Sequence, residues 1–349
     1  MGVLVRNIFL VSCLCIGYSF SVSANTNVAT ITKLDGEVQI FSNPGKTIQG
    51  PAPHALFEGE YFSVRNAKIG DKIDKGNIVR TAPSGQSKVV YENGDQVHVG
   101  PASAYRVQWE GVEEKPKTSF SLLYGKIRNV ISKSGPRSGL EVKAGSATMG
   151  VRGTDFYVSK RGVTNTAEVT TLRGSVSVKT AKATKAVEVK PGYSAVVAVK
   201  EEKKPEKKSE KIVEVKKADV KVADKGEPAA VTPSIELKKT TQQQLEVISE
   251  ISTIKESEKT EDKAKAEEVK KLETKATETV MKEIKTYDPK MYDQIVKEKM
   301  TSSDDINSKT LGKIAKTAPV EVLSGKKPTE DELQDMNGDS YDNYFKKVD

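Results

Sequence analysis

"MGVRGTDFYV", residues 149–158, is the stretch that decides how this chain is interpreted. It places two glycines, an arginine, a threonine and an aspartate close together and then continues as an apolar strand. Such a composition suits an active-site loop, a phosphate-binding loop or a turn that only shapes the fold. The segments on either side of it are therefore needed to choose among these three interpretations.

Short segments with alternating apolar residues surround this stretch from about residue 28 to residue 199. Examples are GEVQIF (36–41), GKIRNVI (125–131) and AEVTTLRGSVSVK (167–179). Period-2 alternation bounded by Gly, Asn, Pro and Asp predicts β-strands. A glycine before alternating β-branched residues recurs irregularly, which fits stacked windings as well as packed sheets. The fold class is therefore mainly β, either a β-solenoid or a β-sandwich.

The first 24 residues have the pattern of a secretory signal peptide. A short basic start leads into an apolar run that ends in small residues at Ala24, so the mature chain is expected to start at Asn25. An uncleaved membrane anchor and a lipoprotein cleavage site at Cys13 are the alternatives. Both cysteines, Cys13 and Cys15, lie in this segment, which excludes disulfides and cysteine metal sites from the mature chain. The expected location is the periplasm or the outside of a Gram-negative envelope, with no membrane span after cleavage.

The composition changes at Val199, where the predicted β-domain (residues 25–199) ends. Residues 200–235 are rich in Lys, Glu and Pro and are predicted to be a disordered linker. Residues 236–300 regain helical spacing, and residues 301–349 are predicted to be a disordered tail. The helical segment would lie on a partner, form a coiled coil or fray alone in water. Its apolar stripes are Leu245, Ile248, Ile251 and Ile254, and Val269, Leu272, Ala276, Val280 and Ile284.

No catalytic, cofactor or metal site can be assembled from the sequence. The net charge of +8 is spread through mixed Lys/Glu runs and does not form the basic face that a nucleic-acid partner would need. The two histidines, His54 and His98, have no catalytic or metal-binding set around them, and no P-loop or dinucleotide motif is present. The segment from Asp335 begins like a calcium loop, but Lys346 stands where a bidentate carboxylate is required. We therefore predict a protein that is not an enzyme and binds no cofactor or metal.

The segment VRGTDF (151–156) resembles the hallmark of FecR-like periplasmic domains, an apolar-Arg-Gly-Thr-x-Phe sequence that leads into a strand. Residues 70–107 are similar to the family's stretch from Gly-Asp to Pro-x-Ser. The segments LLYGKI, EVTTLRGSVSVK and VKPGYSAVV are similar to its later strands. The resemblance covers roughly residues 30–199 and is specific as an ordered set of motifs.

The motif residues are expected to be structural or to face a partner, and not to be catalytic. The two glycines would allow backbone conformations that a Cβ would obstruct, and the arginine would be partly buried and shared among carbonyls and a carboxylate. The threonine would bond its own turn, and the phenylalanine would anchor the core. These residues are Gly150, Arg152, Gly153, Thr154, Asp155 and Phe156.

The resemblance implies a function without catalysis. Founding members of the family are anti-sigma regulators with a cytoplasmic segment and one membrane crossing. Here the apolar segment comes first, about 25 residues (42–66) are inserted after the first strand, and the tail is rich in Lys and Glu. We therefore expect a stand-alone exported envelope protein whose FecR-like domain binds a protein or polysaccharide partner. The alternative is a periplasmic signalling component related to anti-sigma regulators.

Overall fold

The computed structural model describes most of the chain between residue 27 and residue 317. The described residues are 27–48, 50–51, 53–110, 117–133, 139–162, 164–181, 183, 185–200, 232–254, 260–317 and 346–348. The predicted signal peptide, most of the predicted linker, and residues 335–345 of the calcium-like segment lie outside these residues.

Nineteen strands and four helices are formed by the described residues. The strands are β1 (Asn27–Asp35), β2 (Val38–Gly45), β3 (His54–Phe57), β4 (Glu60–Asn66), β5 (Lys72–Asp74), β6 (Ile78–Thr81), β7 (Gln86–Tyr91), β8 (Gln96–Val99), β9 (Ser103–Glu110), β10 (Lys117–Val130), β11 (Gly139–Ala144), β12 (Ala147–Val151), β13 (Asp155–Lys160), β14 (Ala167–Arg173), β15 (Val176–Thr180), β16 (Val187–Val189), β17 (Tyr193–Lys200), β18 (Thr232–Lys239) and β19 (Lys346–Val348). The helices are α1 (Gln242–Ser252), α2 (Lys263–Tyr287), α3 (Pro289–Lys297) and α4 (Ser303–Thr317).

The strands form two sheets that share the long strand β10. Sheet A has the order β5-β1-β7-β8-β10-β13-β14-β17-β18 and is antiparallel throughout. Sheet B has the order β19-β3-β4-β2-β6-β9-β10-β11-β12-β15-β16, in which β10 and β11 are parallel. Residues 117–124 of β10 belong to sheet B, and residues from Gly125 onward belong to sheet A. The fold is therefore a two-sheet sandwich, which confirms the predicted mainly-β class.

The apolar core lies between the two sheets because alternate residues of each strand turn toward the opposite sheet. Val97 and Val99 of β8 and Ile40 of β2 are completely buried in it. Tyr91 of sheet A and Phe120 of sheet B stack with their ring centroids 5.3 Å apart. Burial of this apolar surface is the main source of stability for a domain that has no disulfide in the described residues.

Helices α1, α2 and α4 cover the face of sheet A that points away from this core. Helix α1 contacts β8 and β10, α2 contacts β1 and β7, and α4 contacts β14. Tyr157 and Leu172 of the sheet belong to the same buried apolar cluster as Ile248, and Val130 to the same cluster as Ile284. The apolar stripes predicted for these helices thus pack on the same chain and form neither a coiled coil nor a partner surface among the described residues.

Helix α1 comes close to the β-domain where the latter has a glycine. A Cβ on Gly100, just after β8, would lie 2.7 Å from Ile251 Cγ2 and 2.8 Å from Lys126 Cγ. Carbon atoms do not approach so closely, and the absence of a side chain at residue 100 is therefore needed for this packing. The contact shows that α1 is seated directly on the sheet.

Strand β18 corrects the predicted boundaries of the linker and the helical segment. It pairs antiparallel with β17, from Lys200↔Thr232 to Tyr193↔Lys239, so the boundary predicted at residues 235 and 236 falls inside a strand. Its Ile235 packs against the sandwich core. The many charges of this segment suggested a solvated chain, but charged residues are also typical of an edge strand, where they oppose aggregation. Helix α4 likewise falls within the predicted disordered tail.

Candidate functional site

The motif found in the sequence forms the turn that carries the chain from sheet B to sheet A. Strand β12 ends at Val151 and strand β13 begins at Asp155. Between them, Gly153 has a φ of +66°, and a Cβ there would lie 2.3 Å from the Cβ of Lys133. Both the conformation and the close neighbour require glycine, as expected from the sequence.

Gly150 does not have the role predicted for it. It lies within β12, and a Cβ there would meet nothing closer than the carbonyl oxygen of Ser177 at 3.8 Å. Its φ is outside the left-handed region. Residue 150 therefore leaves open space beside the strand and has no conformational need for glycine.

Two other motif residues are buried. Phe156 is fully buried in the sandwich core, as predicted. The Oγ1 of Thr154 donates to the carbonyl of Ser175 at 3.0 Å, which ties the motif turn to the turn between β14 and β15. The hydroxyl thus bonds a neighbouring turn and not its own, because residues 154 and 175 are both at the ends of strands that come together there.

Arg152 is exposed, which contradicts the prediction that its guanidinium is partly buried among carbonyls and a carboxylate. The reason is positional: residue 152 lies in the bend between the end of β12 at Val151 and the start of β13 at Asp155. The buried arginine of this region is Arg128 of β10. Its partner is Asp155, the variable position of the motif.

Arg128 and Asp155 form a two-point ion pair in which both side chains are completely buried. The Nε and Nη2 of Arg128 donate to the two carboxylate oxygens at 3.0 and 2.8 Å. Burial by itself raises the pKa of Asp155, but the adjacent Arg128 guanidinium outweighs it and holds this pKa below its usual range. Arg128 also donates to Ser252 Oγ of α1 at 2.8 Å and to the Asn307 carbonyl of α4 at 3.2 Å. One side chain thereby joins the sheet to two helices.

Lys88 of β7 makes a second buried connection to the helices. Its Nζ is 2.6 Å from Glu273 of α2 and 2.8 Å from both Ser303 and Asp304 of α4. Burial by itself raises the pKa of Asp304, but the cations beside it, Lys88 foremost, lower it well below its usual range. The ammonium group has three donors, and these three contacts use all of them.

His98 lies between these two cations in the register of sheet A, opposite Lys88 on one side and Arg128 on the other. It is completely buried, and neither ring nitrogen has a hydrogen-bond partner among the described residues. Burial lowers the pKa of His98 to about 3, with Lys88 and Arg128 adding to the effect and Asp304 opposing it. The ring is therefore neutral at ordinary pH. We call Lys88, His98, Arg128 and Asp155, together with Glu273 and Asp304, the charged layer.

Sequence reasoning missed the charged layer, although a signal was present. In GKIRNVI, Ile127 and Val130 are apolar on opposite faces of one strand, and the charged Arg128 lies between them. A strand that is apolar on both faces is covered on both faces. This pattern indicates that other elements cover sheet A but does not identify them as the helices, which begin only at Gln242.

An open cleft of about 960 Å³ lies where the motif turn meets the helices. We call it the motif cleft. Its floor is formed by the ends of β12, β14 and β16, and the opposite wall by α3, α4 and the end of α2. The residues that matter for its chemistry are Lys133, Gly150, Arg152, Leu172, Arg173, Glu188, Lys190, Ile284, Tyr287, Asp288, Met291, Lys313 and Ile314.

Arg173, the last residue of β14, is the unusual member of this lining. It is 7% exposed, and its three guanidinium nitrogens have no hydrogen-bond partner among the described residues. The carboxylate opposite it in the sheet is that of Asp155, which is already engaged by Arg128. Burial lowers the pKa of the Arg173 guanidinium, and Asp155 and Glu283 oppose this change. Buried donors without partners are rare and costly in proteins.

Two further properties of the described part of the chain concern metal ions and membranes. No group of three or more His, Cys, Asp or Glu side chains that could hold a metal ion occurs there. Among the same residues, no helix has the length and apolar character needed to cross a membrane.

Comparison with known proteins identifies part of the chain. Residues 77–177, from the residue before β6 to the second residue of β15, match the family model described as FecR protein. Two crystal structures of a proposed anti-sigma factor from Parabacteroides distasonis ATCC 8503, at 2.50 and 1.65 Å resolution, are similar at 16% identity, with TM-scores of 0.31 and 0.30. Each match covers 35% of this chain and about half (54%) of the other chain. No curated protein matches the sequence. The resemblance predicted from VRGTDF is confirmed over this range: residues 77–177 of the chain are similar to FecR proteins.

Proposed function

We propose that this chain is an exported, non-enzymatic signalling component of the bacterial envelope, related to anti-sigma regulators, which acts by binding a partner through its FecR-like sandwich. The partner would be an envelope protein, or a polysaccharide in the alternative in which the chain only binds and does not signal. Export to the periplasm or beyond rests on the signal-peptide pattern of residues 1–24.

One observation carries the proposal. The segment that matches the FecR family, residues 77–177, contains two of the three strands that form the β-side of the motif cleft, β12 and β14, together with the motif turn and Arg173. Concave surfaces with a few converging polar groups are where proteins bind partners and ligands. The segment that matches the family therefore overlaps the β-side of the recessed surface in this chain.

The charged layer supports an integrated unit and not a β-domain with a loose tail. Arg128 and Lys88 connect sheet A to α1, α2 and α4 through buried contacts. A partner that binds at the helices would thus be mechanically connected to the sandwich. Such a connection is what a relay between an envelope signal and a regulator requires.

The proposal is tested by site-specific photo-crosslinking in intact cells. A photoreactive residue replaces Arg152, which is exposed at the edge of the motif cleft, and in a matched control it replaces Ile48, which is 46% exposed on a loop outside the cleft. We expect residue 152, and not residue 48, to capture a membrane-anchored regulator or receptor, identified by mass spectrometry. Capture of polysaccharide alone would favour the binding alternative, and identical products from both positions would contradict recognition at the cleft.

A further inference from the structure

We propose that the motif cleft binds a small organic anion with an apolar body, and that the buried guanidinium of Arg173 pairs with its acidic group. This inference goes beyond the proposed function because it assigns a ligand class to a particular site. It does not depend on whether the chain takes part in signalling.

Arg173 has hydrogen-bonding capacity that the described residues do not use. A guanidinium has five N–H donors in a planar fork that matches the two oxygens of a carboxylate or phosphate. In Arg173 none of its nitrogens has an acceptor among the described residues, and the side chain is more than nine-tenths buried. Its carboxylate neighbours are committed elsewhere: Asp155 to Arg128, and Glu283 to the backbone N–H of Lys133 at 2.8 Å. An acidic ligand would supply the missing acceptors.

The charged residues around the cleft are mostly cations. Its charged lining residues comprise the cations Lys133, Arg152, Arg173, Lys190 and Lys313 and the anions Glu188 and Asp288. Asp288 is paired with Lys313 and also accepts from the backbone N–H of Met291, so it is neutralised within the wall. Glu188 is exposed, as are Lys190 and Arg152. The remaining charge is clearly positive, which favours an anion.

The cleft also has apolar lining residues and the volume of a small-molecule site. The apolar part of the wall includes Leu172, Ile284, Met291 and Ile314. A volume of about 960 Å³ is close to the upper end of the range for small-molecule sites. An inorganic anion would leave most of this wall unused, whereas an acid with an apolar body would bury it.

Access to Arg173 requires a local side-chain movement because its nitrogens are covered in the structure. Tyr287, at the end of α2, lines the same cleft and lies near enough to Arg173 to contribute to the pKa of its guanidinium. The side chain of Tyr287 is 39% exposed. The Nζ of Lys133 lies 5.7 Å from the centroid of its ring. Rotation of an exposed aromatic side chain is fast and involves no change in the fold.

The test uses the purified mature chain and two fluorescent probes, pyrenebutyrate and its uncharged analogue pyrenebutanol. We expect pyrenebutyrate to bind with a change in anisotropy, and pyrenebutanol and acetate to bind at least tenfold more weakly. Arg173→Gln should weaken pyrenebutyrate roughly 10- to 100-fold, the effect expected for losing a charge-assisted pair. The control Arg106→Gln removes an arginine of β9 that pairs with Glu60 and does not line the cleft, so it should leave binding unchanged.

A second variant keeps the proposal testable if Arg173→Gln does not fold. Gly150→Leu places a side chain in the open space beside β12, where no strain is expected, and should reduce pyrenebutyrate binding while preserving the thermal unfolding transition. Absence of pyrenebutyrate binding, equal binding of pyrenebutanol, or full binding by a folded Arg173→Gln variant would each overturn the proposal. None of these results bears on partner capture in cells, so failure here is distinguishable from failure of the proposed function.

Discussion

The two faces of sheet A are buried by different chemistry. The face toward sheet B is packed with valine, isoleucine and aromatic side chains such as Val97 and Phe156. The face toward the helices carries Lys88, His98 and Arg128 side by side across three strands, all completely buried. Apolar packing is non-directional and tolerant, whereas buried charges stabilise only when every partner is in place. The face toward sheet B therefore provides stability. The face toward the helices determines where α1, α2 and α4 dock on the sheet.

Removal of Arg128 should have the largest effect on the helix-facing side of sheet A. Arg128→Met leaves Asp155 buried without its partner, and we expect the free energy of unfolding in urea to fall by about 3–5 kcal/mol. That loss is similar to the loss expected for Phe156→Ala in the apolar core, also about 3–5 kcal/mol.

The distinction between the two faces comes from the double variant. Arg128→Met with Asp155→Leu removes both charges and should recover most of the stability that either single substitution loses, because well-packed apolar residues can replace a buried ion pair. A cavity left by Phe156→Ala has no such compensating partner. The double variant could instead be as unstable as Arg128→Met alone. In that case the hydrogen bonds of Arg128 to α1 and α4 contribute more to stability than its ion pair with Asp155.

The free energy of unfolding should also depend on pH because of His98. Its pKa is lowered from 6.5 to about 3 in the folded chain, so the unfolded chain takes up this proton first as the pH falls. The contribution is constant above the ordinary pKa, and stability is lost progressively from there down to about 3. At about pH 5 we expect a loss of about 2 kcal/mol relative to neutral pH.

The measurement is urea unfolding between neutral pH and about pH 5, with His98→Gln as the reference. This range lies above the region in which Asp155 and Asp304, both with lowered pKa values, would be protonated. The His98→Gln variant should lose about 2 kcal/mol less than the wild type over it. Equal pH dependence of the two proteins would show that His98 is already accessible to water.

A smaller effect is expected from Gly100→Ala, which tests whether α1 is held tightly on the sheet. The new methyl group would overlap Ile251 and Lys126, and overpacking of this kind costs about 1 kcal/mol or more. Because Lys126 can move aside, the second substitution Ile251→Ala should reduce the penalty of Gly100→Ala. A double-mutant cycle of unfolding free energies measures this coupling. Additive effects would mean that α1 does not rest on residue 100.

The smallest effect is expected at Arg152, next to the glycine on which the turn depends. Arg152 is exposed, so Arg152→Ala should change the free energy of unfolding by less than about 0.5 kcal/mol. Gly153→Ala should cost at least about 1 kcal/mol because residue 153 has a positive φ and a crowded neighbour. Thermal unfolding of both variants decides the matter. A loss of stability in Arg152→Ala comparable to that in Gly153→Ala would restore the structural role first predicted for the arginine.

The sequence by itself determined the mainly-β class, the FecR-like segment, the need for glycine at residue 153 and the burial of Phe156. These properties follow from period-2 alternation and from the conformational limits of single residues, which are local in the chain. The sequence also indicated the apolar stripes of the helices, but not the surface on which they lie.

The contacts of the folded chain were needed to show that α1, α2 and α4 cover sheet A and that Asp155 pairs with Arg128 and not Arg152. They were also needed to show that Arg173 is buried without an acceptor among the described residues. The physical reason is separation along the chain. Arg128 and Asn307 are 179 residues apart, and Lys88 and Asp304 are 216 residues apart. A charged residue is predicted to be exposed unless its partner is known, and the distant partners of these residues come together only when the helices have docked.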